Sequence, residues 1–72
     1  MPQKFRVHQH VIWTYANNTA EGQIIEVFKE KVTRNIKGKD VTRNATDEEP
    51  AYLIEQKNGD QVLKSESELS KP

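Results

Sequence analysis

IKGKDVTRNATDEEPAYLIEQKNGDQVL, residues 36–63, is the stretch that decides the fold. A Lys37-Gly38 pair, a Pro50-x-Tyr52 strand entry and an Asn58-Gly59 pair follow one another closely, which leaves room only for short strands joined by tight turns. Asn and Gly both tolerate positive φ, so Asn58-Gly59 suits the two central positions of a type I′ turn joining AYLIEQ to QVLK in a two-stranded hairpin. Pro50 disfavours helix at Glu49 and can open a strand, after which AYLIE places Tyr52 and Ile54 on one face and Leu53 on the other. Thr33 to Arg43 holds few large apolar residues around its Lys37-Gly38 centre and reads as a projecting hairpin or ordered loop.

Working outward toward the N-terminus, EGQIIEVFKEKV (residues 21–32) is strand-like but carries apolar side chains on both faces. Strict alternation puts Ile24, Glu26 and Phe28 on one side and Ile25 and Val27 on the other. A bulge resolves this by switching the inward face partway along, and Gly22 permits close backbone approach at the start. VIWTY, residues 11–15, is a β-branched and aromatic strand, and Asn17-Asn18-Thr19 after it reads as the turn. Toward the C-terminus, Ser65 and Glu68 have capping-box spacing for one helical or 3₁₀ turn, with Leu69 placed to plug the open end of the core.

A chain of 72 residues is read as one domain, 1–72, with a core from about 5 to 69; domains of this size bury only about 60% of their unfolded surface. It contains no cysteine, which excludes a disulfide scaffold and thiolate metal sites and fits an intracellular protein. MPQKFRVHQH lacks the apolar run of a signal peptide and no segment approaches the ~20 apolar residues of a membrane span, so a soluble, cytoplasmic protein is expected.

Eleven basic and eleven acidic side chains cancel, so no long-range field draws polyanions or acidic membranes. The distribution is uneven: residues 1–43 carry eight Lys or Arg against four acids and residues 44–72 carry three against seven. The basic excess lies in Lys29 to Arg43, a weak pointer to nucleic acid. The reading preferred to it is that this hairpin packs beside Asp47-Glu48-Glu49 and the two neutralise each other.

No pattern supports catalysis. His8 and His10 share a face in an extended segment but lack a third ligand, so no metal site is expected. Glu48, Glu49, Glu66 and Glu68 have no evident apolar pocket to raise a pKa, and Ser65, Ser67 and Ser70 have no dedicated base. The Asn-x-Thr sequons at Asn17 and Asn44 read as chance matches without a secretory signal. No cofactor and no small-molecule substrate are expected.

The order and spacing of Val11-x-Trp13, Gly22-x-Ile24 with Val27, Ile36-Lys37-Gly38, Glu49-Pro50-x-Tyr52-Leu53-Ile54-Glu55, Gly59 and Leu69 resemble the hypervirulence-associated Tudor-like domain family, small bacterial and fungal proteins long grouped as a domain of unknown function. Family members commonly have Gly-Asp before the first strand and His-Lys-Pro near the end; this chain has His8-Gln9-His10 and Leu63-Lys64-Ser65, so no role tied to that terminal motif carries over.

The resemblance implies an all-β fold: a small, strongly bent, five-stranded Tudor-like (SH3-like) barrel with a projecting hairpin or loop and a short C-terminal helical turn. It also implies a non-enzymatic binding module. The best-known Tudor domains bind methylated lysine or arginine in an aromatic cage, for which Trp13, Tyr15, Phe28 and Tyr52 are the candidates, with Phe5 in addition. Burial of Trp13 and Tyr52 in a core this small is preferred to cage duty, leaving Tyr15 and Phe28 as surface contacts. The leading expectation is protein or peptide recognition through Tyr15, Phe28 and exposed strand edges. The alternative is nucleic-acid (RNA) binding through Arg34, Lys37, Lys39 and Arg43, and a third is self-association through unpaired edges.

Overall fold

A computed structural model describes residues 5–72; the first four residues of the polar N-terminal stretch lie outside it. Six strands follow in chain order: β1 (His10–Tyr15), β2 (Asn18–Phe28), β3 (Val32–Ile36), β4 (Lys39–Arg43), β5 (Ala51–Glu55) and β6 (Gln61–Ser65). A 3₁₀ turn, Glu66–Glu68, closes the series. The all-β class and the short terminal turn agree with the sequence reading, but the strand count is six rather than five. The strands form an antiparallel sheet in the order β1-β2-β5-β6 and a separate β3-β4 ribbon, and they do not close into a barrel. Among the described residues, Ser70, beyond the 3₁₀ turn, is the one that bridges the free edge of β1, exchanging two main-chain hydrogen bonds with Ile12 at 2.9 Å each.

β2 is bulged where its apolar pattern requires it. Ile24 pairs with Ile54 and Glu26 with Leu53, so Ile25 is the extra residue. The consequence is a two-sided sheet centre: Ile24 and Val27 join Tyr52, Ile54, Val11, Trp13, Phe5 and Leu69 in one cluster, while Ile25 and Phe28 join Ala51, Leu53, Leu63 and Val32 in the other. β5 is therefore buried on both faces along Ala51–Ile54, and fully burying each large side chain contributes about 1.5–3 kcal/mol. Gly22 is needed here because a Cβ would stand 2.6 Å from Ile54 Cγ2 and 2.8 Å from the Glu55 carbonyl oxygen.

Two turns differ in detail from the sequence reading. The β1–β2 turn is centred on Ala16 (φ 48°) and Asn17 (φ 67°), while Asn18 already pairs with Tyr15, so the turn lies one residue earlier than Asn17-Asn18-Thr19 suggests. The β5–β6 hairpin forms, but its turn is not type I′: Gly59 (φ 90°) has positive φ and Asn58 does not. The Gly59 N–H donates to the Gln56 carbonyl at 2.9 Å and Gln56 and Asp60 close a three-residue loop, the arrangement of a type I turn followed by a left-handed residue. Asn58 contributes by side chain instead, its Oδ1 accepting the Asp60 N–H at 3.0 Å. The Lys37-Gly38 turn does have positive φ at both residues, 52° and 82°.

At the C-terminus, the Ser65 N–H donates to Glu68 Oε1 at 2.8 Å, the capping-box contact that the spacing anticipates. Leu69 is buried in the first cluster as the expected plug. Among the described residues no helix is long and apolar enough to cross a membrane.

Candidate functional site

Along β1, Val11, Trp13 and Tyr15 alternate onto one face, and their surroundings change along the row. Val11 is fully buried, Trp13 is 4% exposed and Tyr15, past the end of the packed core, is 66% exposed. The two rings form one wall of a cleft of about 420 Å³ that lies between the β1–β2 hairpin, β6 and the β3–β4 ribbon. Its apolar surface is completed by Ile36, Val41, Val62 and Leu63.

Lys37, Arg43 and Lys64 supply cations to the same cleft, and Asp60 is the acid among its lining residues. Lys37 Nζ lies 2.8 Å from Asp60 Oδ2. This contact, aided by a hydrogen bond from Asn58, holds the Asp60 carboxyl below the usual aspartate range against a smaller opposing effect of desolvation. Arg43 reaches across to β6, where its Nε donates to the Leu63 carbonyl at 3.2 Å. Its Nη1 lies 3.4 Å from Glu68 Oε1, and Lys64 Nζ lies 3.8 Å from Glu68 Oε2.

The four aromatic candidates do not converge. Tyr52 is fully buried, packs edge-on against Phe5 with ring centroids 5.7 Å apart, and donates its hydroxyl to Glu66 Oε1 at 2.7 Å. Phe28 is half-buried against the second cluster, with the Arg34 guanidinium 4.7 Å above its ring centroid. Trp13 and Tyr15 alone of the four line the cleft.

The basic candidates divide as well. Lys37 and Arg43 enter the cleft, whereas Arg34 sits over Phe28 and pairs with Glu26 at 3.5 Å, and Lys39 is exposed outside the cleft. The counter-charges of the basic hairpin are thus Glu26, Asp60 and Glu68, in place of the Asp47-Glu48-Glu49 run that the sequence suggested.

Two further points concern acids and edges. Glu66 is 5% exposed: the 3₁₀ turn folds it inward beside Pro50, whose carbonyl accepts the Glu66 N–H at 2.9 Å, and its carboxylate accepts the Tyr52 hydroxyl. The sheet edges are also less open than unpaired strands would be. Ile12 on β1 is bridged by Ser70, and on β6 the Leu63 carbonyl and the Ser65 N–H are taken by Arg43 and Glu68. Such blunting limits strand addition.

The histidines are apart in role: His8 takes φ 77° in a turn closed by the Gln9 N–H on the Arg6 carbonyl, and His10 begins β1. Among the described residues no three His, Cys, Asp or Glu side chains group to hold a metal. Lys64, Asp60 and Val62 are cleft residues that the sequence reading did not single out. Alternation along QVLKS could have placed Val62 and Lys64 on one face, but nothing local signals that the ribbon lies across β6.

The family model described as hypervirulence associated proteins TUDOR domain matches residues 9–69, nearly the whole chain. No curated protein and no solved structure matches.

Proposed function

We propose that this chain, which belongs to the hypervirulence associated protein Tudor domain family, is a non-enzymatic cytoplasmic module that recognises a protein or peptide segment in the cleft beside Tyr15. Family membership supports a small binding module in general, and fold alone does not name the ligand. The observation that carries the finer reading is the exposure of Tyr15 at 66% beside the apolar floor of Trp13, Ile36, Val41 and Val62. An aromatic ring held open at the rim of an apolar cleft supplies contact area at low conformational cost, which is why tyrosines act as anchors at interfaces. Phe28 is a weaker contact in this reading, since Arg34 covers its ring.

The test is capture of a binding partner by the immobilised domain, followed by affinity measurement with Tyr15→Ala and Phe28→Ala. Tyr15→Ala reduces affinity by tenfold or more while the melting temperature stays put, because exposed substitutions change stability by only about 0.5 kcal/mol. Phe28→Ala has the smaller effect on affinity. If neither substitution weakens binding, the ligand does not use this surface.

A further inference from the structure

We infer that the segment bound in the cleft is an acidic peptide whose carboxylate is received by Arg43 and Lys64, and that the site disfavours methylated lysine. This rests on the peptide-recognition reading and assigns its chemistry. The argument begins with the local charge balance. Lys37 and Asp60 neutralise each other at 2.8 Å. Arg43 and Lys64, however, share the single carboxylate of Glu68, at 3.4 and 3.8 Å. One positive charge is therefore in excess along the cleft lining.

That charge is partly withdrawn from water, the Arg43 and Lys64 side chains being 35% and 19% exposed, so salt and solvent screen it less than a surface charge. Arg43 also has unused donors. Nε serves the Leu63 carbonyl and Nη1 faces Glu68, while Nη2 makes no hydrogen bond among the described residues. A guanidinium fixed on one side with a terminal nitrogen left over is suited to donate a charge-assisted hydrogen bond to a carboxylate oxygen.

The same residues argue against a cationic ligand. A cation held by ring faces needs several faces directed at it and little competing positive charge. Here two rings line the cleft, Tyr52 and Phe28 are elsewhere, and three cations face one acid across the lining. Nucleic acid is the less favoured anion, because Arg34 and Lys39 lie outside the cleft and the walls are largely apolar. The net charge of zero also provides no general attraction for a polyanion.

The experiment titrates the isotope-labelled domain with three degenerate nonapeptide pools that are identical except for a central glutamate, glutamine or trimethyl-lysine, and separately with a uridine-rich RNA oligonucleotide. The glutamate pool is expected to shift Tyr15, Arg43 and Lys64 resonances at a concentration at least tenfold below that needed for the trimethyl-lysine pool. Arg43→Gln and Lys64→Gln should each erase most of that preference. Lys64 makes the looser contact, so its variant keeps the test valid should loss of the Arg43–Leu63 bond unfold the domain. Equal or tighter binding of trimethyl-lysine, or RNA binding at these residues in place of peptide, overturns the inference. If no pool perturbs the cleft while Tyr15→Ala still abolishes partner capture, the charge preference falls and the module reading stands.

Discussion

Replacing Gly22 with alanine tests how tightly β2 is laid against β5. The added Cβ would sit 2.6 Å from Ile54 Cγ2 and 2.8 Å from the Glu55 carbonyl oxygen, well inside the ~3.5–4.0 Å at which carbon atoms rest. Neither neighbour can yield cheaply. Ile54 is fully buried in the first cluster, and Glu55 pairs with Gln23, the residue next to Gly22. Relief therefore requires the strands to separate at the position that precedes the bulge. Both approaches are shorter than 3.0 Å, so the upper part of the usual overpacking range applies, about 2–3 kcal/mol, and the lower unfolded-state entropy of alanine returns about 1 kcal/mol at most. The expected net loss is about 1–2 kcal/mol, set against a total of roughly 4–11 kcal/mol for a chain of this length. By thermal denaturation followed by circular dichroism, the midpoint should fall by about 4–16 °C. Ile54→Ala removes one of the two colliding atoms, so the double variant should lose less than the sum of the singles by at least about 0.5 kcal/mol. An unchanged or raised midpoint for Gly22→Ala would refute the reasoning.

Three further outcomes follow from individual contacts. Tyr52→Phe removes the 2.7 Å donor to the buried Glu66 and should lower stability by about 1.5–3 kcal/mol in urea denaturation; a loss under about 0.5 kcal/mol would mean that this bond contributes little. His8→Gly relieves a side chain held at φ 77° and should raise stability by about 0.5–1 kcal/mol, the left-handed penalty less the extra glycine entropy; a lowered melting midpoint would contradict this. The Asp60 carboxyl is held below its ordinary value chiefly by Lys37, so its contribution is present above about pH 4 and is lost as pH falls further and the group protonates. Lys37→Gln should therefore separate from the parent protein near neutral pH and converge with it in acid, which melting curves across pH will show.

Much of the architecture was legible because its determinants are local. Period-two alternation in AYLIE fixed which side chains of β5 face each way, and the conflict of faces in IIEVF announced a bulge that the structure places at Ile25. Lys37-Gly38 and Gly59 marked turns through their tolerance of positive φ. The turn around Ala16 was harder to place, since alanine gives no sign that it will adopt φ 48°. Tyr15 and Trp13 were visible as candidate contacts, but alternation alone does not say where along a strand the packed core ends and exposure begins.

The sequence by itself determined the all-β class, the hairpins, the two-faced central strand and the terminal plug at Leu69, because each depends on backbone preference or on neighbours a few residues apart. Only the tertiary structure decided the sheet order, the six strands in place of five among the described residues, and the open arrangement in which Ser70 bridges Ile12 without closing a barrel. It alone decided the cleft, where Tyr15, Lys37, Arg43 and Lys64 meet from four separate strands and turns. The Arg43 bond to the Leu63 carbonyl spans 20 residues. Such contacts form because the β3–β4 ribbon packs against β6, a long-range geometry that no local pattern of residues encodes.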